Sequence, residues 1–174
     1  TILDAITHGR ELRATYEKIY DGKTSRYLLR PISLVVHHEG LHLLARKRDG
    51  AIRMFDVEGF RKLERVKRPT APFDTDLAAK FQHAFGRYTD FPATPVHLKL
   101  TGIAARQVRR RSFHESQHII RDEPVEVEVQ FLVGVCPEFK AWLVGMSPDV
   151  EIVAPLELRA ELRRRCEAMA KANC

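Results

Sequence analysis

The sequence predicts an α+β protein made of two small modules, and three observations carry that prediction. Between residues 11 and 67, five short runs alternate apolar and polar positions and are punctuated by Asp21-Gly22, Glu39-Gly40 and Asp49-Gly50. That is the signature of short antiparallel strands joined by tight hairpins. Between residues 69 and 95 the composition breaks, with Pro69, Pro72, Pro92 and Pro95. From residue 96 onward, segments of period two alternate with segments of period 3.6 in the order βαββαβα, which fits a ferredoxin-like split βαβ sheet with an extra C-terminal helix. The expected domains are a five-stranded barrel-like sheet over 1–68, a linker with a helix over 69–95, and a ferredoxin-like domain over 96–174.

Taken in order, Ile2, Leu3 and Ile6 stand at helical spacing and predict a short helix over about residues 1 to 9. Glu11 to Tyr20 alternates, with Leu12, Ala14 and Tyr16 on one side, and runs into Asp21-Gly22, where the positive φ of a tight turn is available. Ser25 to Val36 continues as a second strand. Its Pro31 has no N–H to give to a ladder and so belongs on an edge or at a bulge. Leu41–Arg48, Ala51–Val57 and Arg61–Lys67 complete the five strands. In the linker, Leu77, Phe81, Ala84 and Phe85 form an apolar stripe that predicts a helix over 74–85. The second module reads as a strand at 96–101, a helix at 103–111, strands at 118–121 and 125–135, a helix at 137–146, a strand at 150–153 and a helix from 156 to about 170.

Composition bounds the function. No apolar run approaches the ~20 residues a bilayer span requires, and no secretory pattern opens the chain. Three cysteines, Cys136, Cys166 and Cys174, form neither a disulfide framework nor a zinc spacing, so the expectation is a reducing cytoplasm. The net charge of +6 is unevenly placed: residues 1 to 68 hold 15 Lys+Arg against 9 Asp+Glu, and the remainder holds 14 of each. A cationic field confined to one small module points toward a polyanionic or phosphate-bearing partner.

The order of segments resembles a WYL domain followed by its WCX extension domain, over essentially the whole chain. Ala5-Ile6 and Leu12-Arg13-Ala14-Thr15-Tyr16 are similar to the family's entry helix and first strand, and Ser25-Arg26 with Arg30-Pro31-Ile32-Ser33 to its second. Leu41-His42-Leu43 stands where the family has Trp-Tyr-Leu, so of that triplet only Leu43 is kept. Ile52-Arg53-Met54-Phe55 resembles the Arg-x-Phe strand that follows. In the second module Ser112 to Gln117, Trp142 to Gly145 and Val153 to Arg159 resemble recurrent stretches of the extension domain. The resemblance implies an Sm-like barrel, a non-catalytic ligand-sensing and homodimerising role in a bacterial transcriptional regulator, and a nucleotide or single-stranded nucleic-acid ligand. It also implies duplex-DNA contact through a helix-turn-helix expected upstream of Thr1. One departure stands out: two arginine positions of the family are Asp56 and Gly59 here, which weakens a polyphosphate site.

A phosphate ligand on a sheet needs guanidinium forks converging from neighbouring strands. Arg26, His42, Arg46 and Arg53 are the expected ligand contacts, with His42 and Arg46 on one face of their strand and the His42 ring standing in for the family's Tyr as a stacking surface. Other chemistries are weaker. Ser112, His114 and Glu115 lack a nucleophile elbow; His37, His38 and His42 lack a completing carboxylate or Cys ligand. Arg109 to Arg111 and Arg163 to Arg165 point to different helix faces and read as solvated or dipole-complementing charge. Cys136 opens a helix and reads as a small structural thiol. No catalytic residue, metal site or cofactor is expected.

Overall fold

The computed structural model describes residues 1–37, 40–69 and 77–173, so Glu39, Pro72, His38 and Cys174 lie outside the described residues. The chain is α+β, with two antiparallel sheets and two compact units, Thr1–Leu77 and Ala78–Cys174. No described helix is long and apolar enough to cross a membrane.

The first unit runs α1 (Ile2–Thr7), β1 (Arg10–Glu17), β2 (Thr24–His37), β3 (Gly40–Lys47), β4 (Ile52–Asp56), a 3₁₀ turn (Val57–Gly59) and β5 (Phe60–Pro69), with sheet order β4-β3-β2-β1-β5. The turns form for the reasons their residues supply. Gly22 sits at φ 64° and donates its N–H to Lys18 O at 2.9 Å, while Asp21 accepts from Lys23 N at 3.0 Å. At the next hairpin Gly50 sits at φ 85° and Asp49 accepts from Ala51 N at 3.1 Å. β2 is a central strand of 14 residues. Its first half pairs with β1 as far as Leu12↔Leu29, and its second half pairs with β3. Pro31 lies just past the end of the β1 ladder and at the register shift between Pro31 and Ser33, so it sits at a bulge on an internal strand and its missing N–H costs no ladder bond on the β1 side.

The barrel expected from five strands is not closed. β4 and β5 are the two edges of the sheet, and among the described residues no ladder joins them. The sheet is nevertheless strongly curled. In a flat sheet those edges would stand ~19 Å apart at ~4.8 Å per strand. The link between them is a three-residue 3₁₀ turn, which rises only ~2.0 Å per residue. The curl wraps a core of Ala5, Leu12, Ala14, Tyr16, Leu29, Leu43, Ala45 and Phe55, with Ile2 and Ile6 of α1 laid against it. Tyr16 of β1 meets Phe55 of β4 and Phe60 of β5 edge-on at 5.2 Å each, so rings from both edges close the core where backbone pairing does not.

Of the linker helix expected over 74–85, residues 74–76 lie outside the described residues, and the described part ends before its stripe does. α2 spans Leu77–Phe81, and a turn closed by Ala84 N donating to Phe81 O at 2.9 Å leads to Gly86 at φ 67°. The chain therefore leaves the helix before Phe85, whose ring packs on the second core instead of continuing the stripe. β6 (Ala93–Thr101), α3 (Gly102–Arg110), β7 (His118–Asp122), β8 (Glu126–Gly134), α4 (Pro137–Gly145), β9 (Val150–Ala154) and α5 (Leu156–Ala172) follow, with order β7-β8-β6-β9 and every pairing antiparallel. Val96, Leu98 and Leu100 of β6 and Val127, Val129, Phe131 and Val133 of β8 alternate onto one sheet face. Ala104, Ala105 and Val108 of α3, Phe139 and Leu143 of α4, and Leu158 and Leu162 of α5 complete that core. Trp142 packs at its margin against Phe85 and Phe113.

Candidate functional site

Strand alternation sorts the first unit's side chains onto two faces. Leu12, Ala14, Tyr27, Leu29, Leu43, Ala45 and Phe55 face the core. By register, Arg13 and Thr15 of β1, Arg26, Leu28 and Arg30 of β2, His42, Leu44 and Arg46 of β3, and Ile52, Met54 and Asp56 of β4 take the opposite face. Of the four expected ligand contacts, Arg26, His42 and Arg46 share this face, which is outward at Arg26 and covered around His42, Leu44 and Ile52. Arg53 does not: it pairs with Ala45 and takes the other side of β4, where it is exposed at the sheet's edge. The four therefore do not converge on one point.

His42 is placed differently from the stacking surface expected of it. Its relative exposure is 6%, and it stands among the described residues as the buried polar side chain. Nδ1 lies 2.8 Å from Asp56 Oδ1, its register partner on β4, and Nε2 lies 3.2 Å from His37 O. Asp56 in turn reaches the Tyr16 hydroxyl, which donates to Oδ2 at 3.4 Å and accepts from Asp56 N at 3.3 Å. Two glycines make room for this set. A Cβ on Gly59 would stand 2.5 Å from the Tyr16 ring, and one on Gly40 would stand 3.0 Å from His42 Nε2. The departures at Asp56 and Gly59 thus belong together. Asp56 brings a carboxylate oxygen close to the buried imidazole, although His42 Nδ1 makes no hydrogen bond with it, and Gly59 leaves space for the ring that holds Asp56.

The outward face carries an open groove of about 720 Å³ lined by Arg13, Arg26, Tyr27, Leu28, Lys47, Arg48 and Asp49. Asp49, its carboxylate, accepts from Lys47 Nζ at 2.7 Å and from Ala51 N. The Lys47 ammonium, chiefly, holds the Asp49 carboxyl below its ordinary range. Arg13 stands opposite Glu64, whose carboxylate is held by Lys62 at 2.7 Å. Sequence reasoning named Arg26 here and missed Arg13, Lys47 and Arg48. Arg13 could have been found, because it alternates with the apolar Leu12 and Ala14; Arg48 sits on a turn, where alternation gives no direction.

Elsewhere the charged and nucleophilic groups are tied down locally. Arg109 binds Asp122 at 2.7 Å and the Glu123 carbonyl; Arg163 pairs with Glu167 at 2.7 Å one turn on. Ser112 Oγ donates to His114 O, and His114 Nδ1 lies 2.8 Å from Ser116 Oγ, so these residues build a turn. Burial lowers the His114 pKa. Burial likewise pushes the Cys136 thiol up; its sulfur accepts from Phe139 N and caps α4, a structural role. Among the described residues no group of three metal-ligating side chains assembles.

A curled five-stranded sheet with a cationic groove and a four-stranded α+β unit make this a two-module α+β protein. Residues 1–65 match the WYL domain and residues 92–170 the WCX domain, so the chain belongs to the WYL-domain family in its WCX-extended form. Among solved structures it is similar to a CRISPR Cas-related protein, at 12% identity and TM-score 0.64, covering 98% of this chain and 49% of that one. It also matches Proteasome accessory factor B/C (PafBC) of Arthrobacter aurescens, at 18% identity and TM-score 0.41, covering 98% of this chain and 26% of that one. The chain thus spans half or less of the length of these proteins. No curated protein matches it.

Proposed function

We propose that the chain is the ligand-sensing and dimerising portion of a bacterial helix-turn-helix transcriptional regulator, and that its WYL unit binds a nucleotide or single-stranded nucleic acid. The observation that carries this reading is the uneven charge: the whole excess of +6 lies in residues 1 to 68, and the outward groove is lined by four cations against one engaged carboxylate. Family membership supports the regulatory role. In this reading Arg26 and Arg46 contact the ligand from the outward face, His42 orients that face through Asp56, and Arg53 acts from the edge strand. The curled sheet is a half-open relative of an Sm-like barrel. The order β7-β8-β6-β9 with antiparallel pairings supports a ferredoxin-like WCX unit that relays ligand state and helps form a homodimer. Duplex DNA is contacted by a helix-turn-helix of the complete regulator, in the cytoplasm, and the chain itself performs no chemistry. Titration with fluorescent single-stranded DNA, RNA and nucleotides is expected to give saturable, salt-weakened binding; absence of saturation with every probe would overturn the reading.

One observation favours a second reading. His42 is buried, with the Asp56 carboxylate 2.8 Å from its Nδ1, at a position expected to face a ligand, as in an oligomerisation scaffold whose site has decayed. That reading predicts a tight dimer without nucleotide affinity, and a monomer by sedimentation at high concentration contradicts it.

A further inference from the structure

The geometry points to the groove of Arg13, Arg26, Lys47 and Arg48 as a site for two neighbouring phosphate groups carried on a nucleotide, an inference that rests on the sensing role proposed above and names where and what the WYL unit binds. The register fixes the arrangement. Thr15↔Arg26 and Arg13↔Leu28 are adjacent pairs on β1 and β2, so Arg13 and Arg26 are diagonal neighbours on one face, with Cβ atoms roughly 7–8 Å apart. Leu29↔Lys47 sets the end of β3 beside β2, which brings the turn residue Arg48 to the same groove.

Charge decides what such a groove accepts. Arg26 and Arg48 make no hydrogen bond or ion pair among the described residues. Lys47 is held by Asp49 and largely neutralised, and the carboxylate across from Arg13 is occupied by Lys62. Arg26 and Arg48 therefore line the groove without a carboxylate of their own, and Arg13 beside them shares Glu64 with Lys62. Like charges gathered this way gain most when an anion binds between them. Each planar fork grips two oxygens of one phosphate, so the diagonal Arg13 and Arg26 suffice for a first phosphate and Arg48 is left for a second. Leu28, on the same face, supplies an apolar wall for the base or sugar. A volume of about 720 Å³ lies within the range of ~300–1,000 Å³ usual for small-ligand sites.

The same chemistry is offered by a free nucleoside diphosphate and by two successive residues of a single strand, and one experiment separates them. The probe is a short fluorescein-labelled oligothymidylate followed by anisotropy on the full chain, with nucleoside monophosphate, nucleoside diphosphate and inorganic pyrophosphate as competitors. Arg13→Glu and Arg48→Glu, both at exposed positions, are each expected to weaken binding on the order of tenfold or more and to reduce the salt slope by about 1. Arg164→Glu in the second unit, the same change of charge, is expected to leave it within about twofold. Displacement by diphosphate and pyrophosphate identifies a free nucleotide as the ligand; oligonucleotide binding that resists both identifies a strand. Either supports the groove. Equal displacement by monophosphate overturns the two-phosphate assignment. Binding by the wild type that Arg13→Glu and Arg48→Glu leave intact overturns the groove while the sensing role stands, whereas a wild type that binds no probe overturns both.

Discussion

The two sheets draw on the same residue types and settle their charges to different degrees, for the first unit also pairs Arg61 with Glu17 and Arg65 with Asp4. On the second unit's sheet Lys99 lies 2.7 Å from Glu126 and Arg121 3.6 Å from Glu128, a His97 ring nitrogen lies 2.8 Å from Glu128, and Arg159 of α5 lies 3.1 Å from Glu151 of β9. The Glu126 carboxylate holds the Lys99 pKa above its ordinary value. On the first unit's outward face, Arg26 and Arg48 are left to the groove. Neutral cross-strand ladders stabilise a solvated face; a cationic groove stores an affinity. Even within the first unit there is a gradient, since at the other end of the same face His42 is buried with the Asp56 carboxylate 2.8 Å from its Nδ1.

The largest expected effect breaks that inner settlement. Gly59→Ala drives a Cβ to 2.5 Å from the Tyr16 ring and 3.1 Å from Glu17 O, and the ring cannot retreat because Phe55 and Phe60 flank it. Overpacking of this kind costs about 1–3 kcal/mol. The urea midpoint followed by tyrosine near-ultraviolet circular dichroism should fall accordingly, and an unchanged midpoint would show that Tyr16 does not fix Asp56.

A smaller effect sharpens the contrast between the sheets. Lys99→Glu places a fourth carboxylate among Glu126, Glu151 and Glu128 and should lower the midpoint reported by Trp142 fluorescence, more so at low salt. Arg26→Glu relieves repulsion in the groove and should leave stability unchanged or slightly raised. A loss of stability with Arg26→Glu equal to that with Lys99→Glu would mean that the groove is compensated after all.

Much of this fold was legible in the residues. Alternation places every strand, because a half-buried sheet requires period two, and Asp21-Gly22 and Asp49-Gly50 mark hairpins because only certain backbones accept their φ. Closure of the barrel was not legible, since it depends on whether β4 reaches β5, and three residues of 3₁₀ turn leave no sequence pattern to read. The helix expected over 74–85 ended at Phe81 because packing of Phe85 into the second core outweighed the continuation of its stripe. At the site, the shared face of His42 and Arg46 follows from parity alone. The burial of His42 does not, because Asp56 arrives beside it through long-range register, and neither does the face taken by Arg53, which is set by pairing with Ala45.

The most direct test of the contrast is amide chemical-shift mapping of the full chain titrated with inorganic pyrophosphate. Uncompensated cations in the first unit predict saturable shifts confined to the amides around Arg13, Arg26 to Leu28 and Lys47 to Asp49, weakening as salt is raised. Shifts centred instead on the laddered sheet of the second unit, or none at all, would contradict it.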